Sequence, residues 1–240
     1  DTIAAIATPI GEGGIGIVRI SGKDALNIAD KIFLSPDKRK PSGFKTYTTH
    51  YGWVVDNSQN IIDEVILTVM RAPRSYTKED IVEINCHGGV VALRGVLELV
   101  LAQGCRMSQA GEFTKRAFLN GRIDLAQAEA VLDAIRAKTD SALKVSLKQL
   151  QGALSKEINN IREPLLNALS VVEANIDFPE DDVGTAELNN IQLKLKRTEL
   201  KLKDILSSAQ QGKILREGIN VVICGKPNVR AATMVSNSGF

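Results

Sequence analysis

Two charged side chains interrupt strand-forming runs early in this sequence. In Ile15–Ser21 (IGIVRIS) Arg19 shares a strand face with Ile15, Ile17 and Ser21, and in Ile81–Cys86 (IVEINC) Glu83 shares one with Ile81 and Asn85. A charge on an apolar strand is costly to bury unless it is paired or solvated. Spacing leaves two readings open. One is a structural or edge-facing pair of charges. The other is a polar ligand site, in which a carboxylate accepts two parallel N–H bonds from a 2-amino heterocycle and an arginine offers its planar fork to a carbonyl or carboxylate.

Three further stretches carry residues of chemical interest. Gly11–Gly16 (GEGGIG) fits G-x-G-x-x-G. A dinucleotide fingerprint must open a helix, however, and this turn opens the β-branched run Ile15–Ser21, so a glycine loop between two strands is expected. Cys86 and His87 are adjacent in CHGG. Neighbours on a strand point to opposite faces, which places them poorly as a nucleophile and its base. Near the end, Ile219–Cys224 leads into Gly225-Lys226-Pro227-Asn228-Val229 as a strand enters a P-loop. The motif G-x-x-x-x-G-K-[ST] then needs glycine, lysine and a hydroxyl, but Arg230, Ala231 and Ala232 follow.

These residues must be positioned by regular elements, and the periodicity changes near Gly111. Before it, strands are expected at 2–8, 15–21, 61–70 and 81–86, with helices at 24–33 and 90–102, the latter ended by Gly104. The Pro/Lys-rich 36–45 reads as a loop. After it, a short helix at 112–120 is stopped by Gly121, and Asp124 N-caps a helix whose apolar face carries Leu125, Ala128, Val131, Leu132 and Ile135. Further helical spacing runs through 143–169, where Pro164 is a first-turn residue or a kink, and a last helix covers about 186–215. The charges of 111–131, Glu112, Lys115 and Arg116 among them, fit a solvated helix face. Arg122 follows a glycine between two helices, from where it can reach back to the strands.

The 240 residues are 44% hydrophobic and 24% charged, which is ordinary for a globular chain with a real core. A net charge of +2 makes no case for a strongly basic nucleic-acid binder. Three cysteines without C-x-x-C spacing fit a reducing compartment, and two histidines give no basis for a Cys/His metal site. No apolar run approaches the ~18–20 residues of a membrane span, and no signal-peptide pattern opens the chain, so a soluble cytoplasmic protein without membrane contact is expected.

Four stretches resemble, in order and spacing, one family, the MnmE (TrmE) tRNA-modification GTPases: DTIAAIATPIGEGGIGIVRISG, SYTKEDIVEINCHGG, GEFTKRAFLNGRIDLAQAEAV and LREGINVVICGKPNV. The resemblance covers about residues 1–229 and implies an α+β architecture. Residues 1–115 would form a tetrahydrofolate-binding and dimerising domain, similar to the aminomethyltransferase of glycine cleavage. Residues 116–217 would form the first part of an antiparallel helical domain, and 218–240 a remnant of a P-loop G domain.

The family works as a homodimer with the flavoprotein MnmG, modifying C5 of the wobble uridine of certain tRNAs. It uses a tetrahydrofolate one-carbon unit, and GTP hydrolysis dependent on K⁺ and Mg²⁺. Its folate contacts fall on Arg19, Glu83 and Arg122; at the third some members carry lysine, which keeps the charge but not the fork. Its nucleotide-binding positions fall on Gly225 and Asn228, the latter a K⁺ ligand in an intact G domain. With Arg230, Ala231 and Ala232 the chain lacks close backbone approach to phosphate, the P-loop ammonium and the Mg²⁺ hydroxyl, so no GTP binding or hydrolysis is expected. Three readings follow: a tRNA-modifying GTPase without its motor, a non-catalytic folate-binding dimerisation scaffold, and, last, a standalone one-carbon transferase.

Overall fold

The computed structural model describes residues 1–178 and 185–217; Gly225, Asn228 and the expected strand 219–224 lie outside the described residues. The chain divides into two compact units, residues 1–131 and residues from 132 onward.

The first unit is built on a seven-stranded sheet: β1 (Ile3–Ile6), β2 (Gly16–Ser21), β3 (Phe33–Leu34), β4 (Thr48–Val55), β5 (Ile61–Met70), β6 (Ile81–Cys86) and β7 (Arg106–Met107). Their order is β3-β4-β5-β6-β2-β1-β7, antiparallel throughout except for the parallel β1–β7 edge. Alternation along the strands sorts the side chains. Val18, Ile20, Leu67, Val69, Val82 and Ile84 enter one core with α1 (Ala25–Ile32) and α2 (Val90–Ala102). Each fully buried aliphatic side chain of this kind contributes about 1.5–3 kcal/mol. The other face carries Arg19, Glu83 and Thr68 in one row, Arg19 opposite Glu83 and Glu83 opposite Thr68.

The expected strands and both early helices form within a few residues of their expected limits. The strand β4 is additional. Its alternation is diluted by exposed Thr49 and Tyr51, and it is recruited by an eight-pair register with β5. The glycine loop of residues 11–14 does lead into β2 rather than into a helix. Its packing explains a glycine beyond it: a Cβ on Gly88 would lie 2.4 Å from the Gly13 carbonyl oxygen, so the loop and the CHGG turn touch backbone to backbone.

Helix α3 (Glu112–Leu119) and helix α4 (Leu125–Arg136) follow the sheet. Asp124 and Gln127 cap α4 reciprocally, each side chain accepting from the other's backbone N–H at 2.9 Å. Leu125, Leu132 and Ile135 nevertheless remain exposed on α4. In the second unit α6 (Ala153–Asp177) packs with both α5 (Asp140–Leu150) and α7 (Thr185–Glu217). Pro164 lies inside α6, which excludes the first-turn alternative. No helix among the described residues is long and apolar enough to cross a membrane.

Candidate functional site

The site begins with a register. Antiparallel pairing of β2 and β6 sets Arg19 opposite Glu83, and Arg19 Nε donates to Glu83 Oε1 at 2.7 Å. Both side chains are partly buried. Two rings flank the guanidinium carbon, Phe113 of α3 with its centroid at 5.6 Å and Tyr76 of the β5–β6 loop at 6.0 Å.

Arg122 is delivered by a helix ending. Gly121 adopts φ 66°, its N–H reaches Phe118 O at 2.9 Å, and the Arg122 N–H reaches back to Ala117 O at 2.8 Å. This paired closure is the Schellman motif, and it needs a residue at ease in the left-handed region. Arg122 is thereby carried over the Tyr76 ring, 4.8 Å from its centroid. The β5–β6 loop is held against the same helix end. Tyr76 Oη and Thr114 Oγ1 are 2.9 Å apart, Lys78 Nζ donates to Gly121 O at 2.9 Å, and Asn120 Nδ2 donates to Thr77 O at 2.7 Å. Tyr76 thus stands near both arginines. Beside it opens a cavity of about 380 Å³ whose walls include Tyr47, Arg74, Ser75, Tyr76, Lys78 and Arg122. Arg19 and Glu83 are not among its lining residues.

Sequence reasoning named the three charged residues but not Tyr76, Phe113, Arg74, Lys78 or Tyr47. Apart from Phe113 these lie in irregular segments, where hydrophobic period carries no signal; the aromatic and basic alternation in SYTKED was the available cue. The charges of α3 also depart from a solvated face. Glu112 is only 9% exposed. It accepts from Arg106 at 2.6 and 3.1 Å and from Arg116 at 3.2 Å, while Arg116 also bonds Glu79 and Asp1. The bond to Arg106, with help from the Gln109 N–H and Arg116, holds the Glu112 carboxyl down at about 2. This network fixes α3, and with it Phe113 and Gly121, against the sheet.

Cys86 and His87 separate as strand geometry requires. Cys86 is buried and donates to Gly16 O at 3.4 Å; burial, then the Asp63 charge, pushes its thiol up to about 11. His87 is exposed and binds Asp63 twice, its backbone N–H at 2.8 Å and Nδ1 at 2.6 Å. The hydrogen bond to Asp63 raises the imidazole above its ordinary value. A thiol held neutral and turned into the core is no partner for that imidazole.

Sheet, flanking helices and the Arg–Glu row define an N-terminal α+β module followed by a helical one, and comparison with known proteins assigns both. A family model described as GTP-binding protein TrmE N-terminus matches residues 2–122, and one described as MnmE helical domain matches residues 125–234. The chain belongs to the TrmE/MnmE family. It is 53% identical over 238 residues to the tRNA modification GTPase MnmE of Geobacillus thermodenitrificans, covering 98% of this chain and 52% of that protein. The Bacillus subtilis protein of the same name is 50% identical over 239 residues, covering 99% of this chain and 52% of its own length. The chain spans about half the length of the curated relatives it matches.

Proposed function

We propose that the first unit binds a tetrahydrofolate one-carbon derivative through Arg19, Glu83 and Arg122. The observation that carries this reading is the Arg19–Glu83 pair, a hydrogen-bonded donor and acceptor on adjacent strands with aromatic rings at its sides. A reduced pterin presents adjacent N–H donors and a carbonyl on one edge. Glu83 is the acceptor for that edge and Arg19 the donor for the carbonyl, while Tyr76 and Phe113 supply apolar faces for the ring system. Arg122 adds a cation beside Tyr76. The residues present fit the ligand.

On this reading the chain holds the folate-binding and helical parts of a tRNA-modification GTPase. With MnmG that enzyme acts on C5 of the wobble uridine and forms a homodimer through its first unit. Family membership supports the tRNA-modification role. GTP, Mg²⁺ and K⁺ belong to the G domain, in which Asn228 is the expected K⁺ position, and Arg230, Ala231 and Ala232 depart from its glycine, lysine and hydroxyl. That departure favours a second reading for this chain by itself, a non-catalytic folate-binding dimerisation scaffold.

Titration with 5-formyltetrahydrofolate tests the site. Arg19→Ala and Glu83→Ala are each expected to weaken binding by about tenfold or more, since each removes a hydrogen bond between a charged side chain and the ring, worth about 1.5–3 kcal/mol. Unchanged affinity in both variants would overturn the assignment. Restoration of wobble-uridine modification in cells lacking the enzyme separates the two readings; the scaffold reading expects none.

A further inference from the structure

We propose that the cavity beside Tyr76 is an anion subsite for the γ-linked glutamate tail of a folate polyglutamate, so that the chain selects folates by tail length. The inference rests on the folate reading above.

Three cations, Arg74, Lys78 and Arg122, line the cavity. Among the described residues no carboxylate lies within 4.0 Å of any of them. The same unit neutralises its other clustered arginines: Arg106 bonds Asp1 and Glu112, and Arg116 bonds Asp1, Glu79 and Glu112. Among the described residues, then, these three cations have no ion-pair partner, whereas those of the neighbouring network are paired. The three cations are also held in place, Arg122 over Tyr76, Arg74 6.0 Å from the Tyr47 centroid, and Lys78 on Gly121 O. Such pre-ordering lowers the entropic cost of capturing an anion.

Backbone geometry points to the same place. Four described non-glycine residues have positive φ, and two of them, Tyr47 and Lys78, both at 59°, line this one cavity. Side chains held in the left-handed region are strained, and such strain gathers at ligand clamps.

A folate runs from heterocycle through an aromatic ring to carboxylates. Tyr76 stands near both Arg19 and Arg122 and lines the cavity that also holds Arg74 and Lys78, so it links the Arg19–Glu83 pair to these cations. A volume of about 380 Å³ is at the small end for a ligand pocket and suits a tail segment. Arginine forks and an ammonium are the donors that carboxylates take most strongly.

The test compares the mono- and pentaglutamate forms of 5-formyltetrahydrofolate by calorimetry on the full chain, at low and high salt. The pentaglutamate is expected to bind about tenfold tighter or better at low salt, with the advantage shrinking at high salt. Arg74→Ala/Lys78→Ala is expected to abolish the advantage, leaving the two forms equal in affinity, and a pentaglutamate advantage retained in that variant overturns the subsite. The milder Arg74→Gln/Lys78→Gln pair serves if the alanine variant unfolds. Equal affinity of the two forms for the unaltered chain overturns the subsite and leaves the folate reading standing, whereas binding of neither overturns the folate reading and the subsite with it. Indifference to tail length combined with Arg74- and Lys78-dependent binding of an RNA oligonucleotide overturns the proposal in favour of a phosphate ligand.

Discussion

Arg19 and Glu83 are directly opposed residues of β2 and β6 whose side chains share a 2.7 Å hydrogen bond on the sheet face away from α1 and α2. At 28% and 19% side-chain exposure, each shields the other from the full cost of desolvation. Arg19→Ala or Glu83→Ala is expected to cost about 1–2 kcal/mol of stability, less than a wholly buried pair because water screens this one. The double variant should lose clearly less than the sum. Urea unfolding of all four species measures the coupling, and strict additivity would mean the two charges are energetically independent.

The two histidines should titrate in opposite directions from the ordinary 6.5. Asp63 raises His87, while burial beside Phe44, whose ring centroid is 3.4 Å from the imidazole's, lowers His50. The stabilisation tied to His87 is present below 6.5 and lost as pH rises through its higher native value; His50 instead penalises the native state as pH falls below 6.5. Imidazole NMR titration is expected to resolve the two, with Asp63→Asn returning His87 toward 6.5 and leaving His50 in place. Coincident curves would contradict both environments.

Glu112 should govern acid sensitivity in the first unit. Its native value is depressed from 4.5 to about 2, so its stabilisation is present above 4.5 and disappears as pH falls toward 2. The full shift corresponds to ~3 kcal/mol, reduced to about 1–2 kcal/mol by water reaching the network at Asp1 and Arg106. Glu112→Gln should be less stable at pH 7 and show a flatter decline between pH 4.5 and 2. An identical acid limb in the two proteins would remove Glu112 from that role.

Gly88 and Gly14 should respond differently to alanine. A Cβ at 88 meets the Gly13 backbone, which cannot rotate aside, whereas nothing lies within 4 Å of one at 14. Gly88→Ala is expected to cost about 1–3 kcal/mol, as overpacking does, and Gly14→Ala about 0.5 kcal/mol or less. Thermal unfolding distinguishes them, and equal losses would show that the loop yields at both points.

A fluorescent GTP analogue should show no saturable binding to this chain. The reason is chemical: Arg230, Ala231 and Ala232 offer neither the ammonium nor the Mg²⁺ hydroxyl on which a P-loop depends. Saturable, competable fluorescence change at micromolar concentrations would refute it.

Local patterning was enough to read much of this protein. The alternation of β2, β5 and β6, the Asp124 cap and the Gly121 stop are short-range properties, decided by side-chain period and by a few residues' backbone preferences, and they survive in a string of letters. So does the oddity of Arg19 and Glu83, each a charge in an apolar strand. The partners of those charges were a matter for tertiary structure. The register that sets Arg19 against Glu83 joins strands more than sixty residues apart, and Tyr76, Lys78 and Arg74 come from a loop with no period to read. Glu112 shows the limit most plainly: the same helical spacing fits a solvated face or a buried network, and only the approach of Arg106, Glu79 and Asp1 from elsewhere in the chain made it the second.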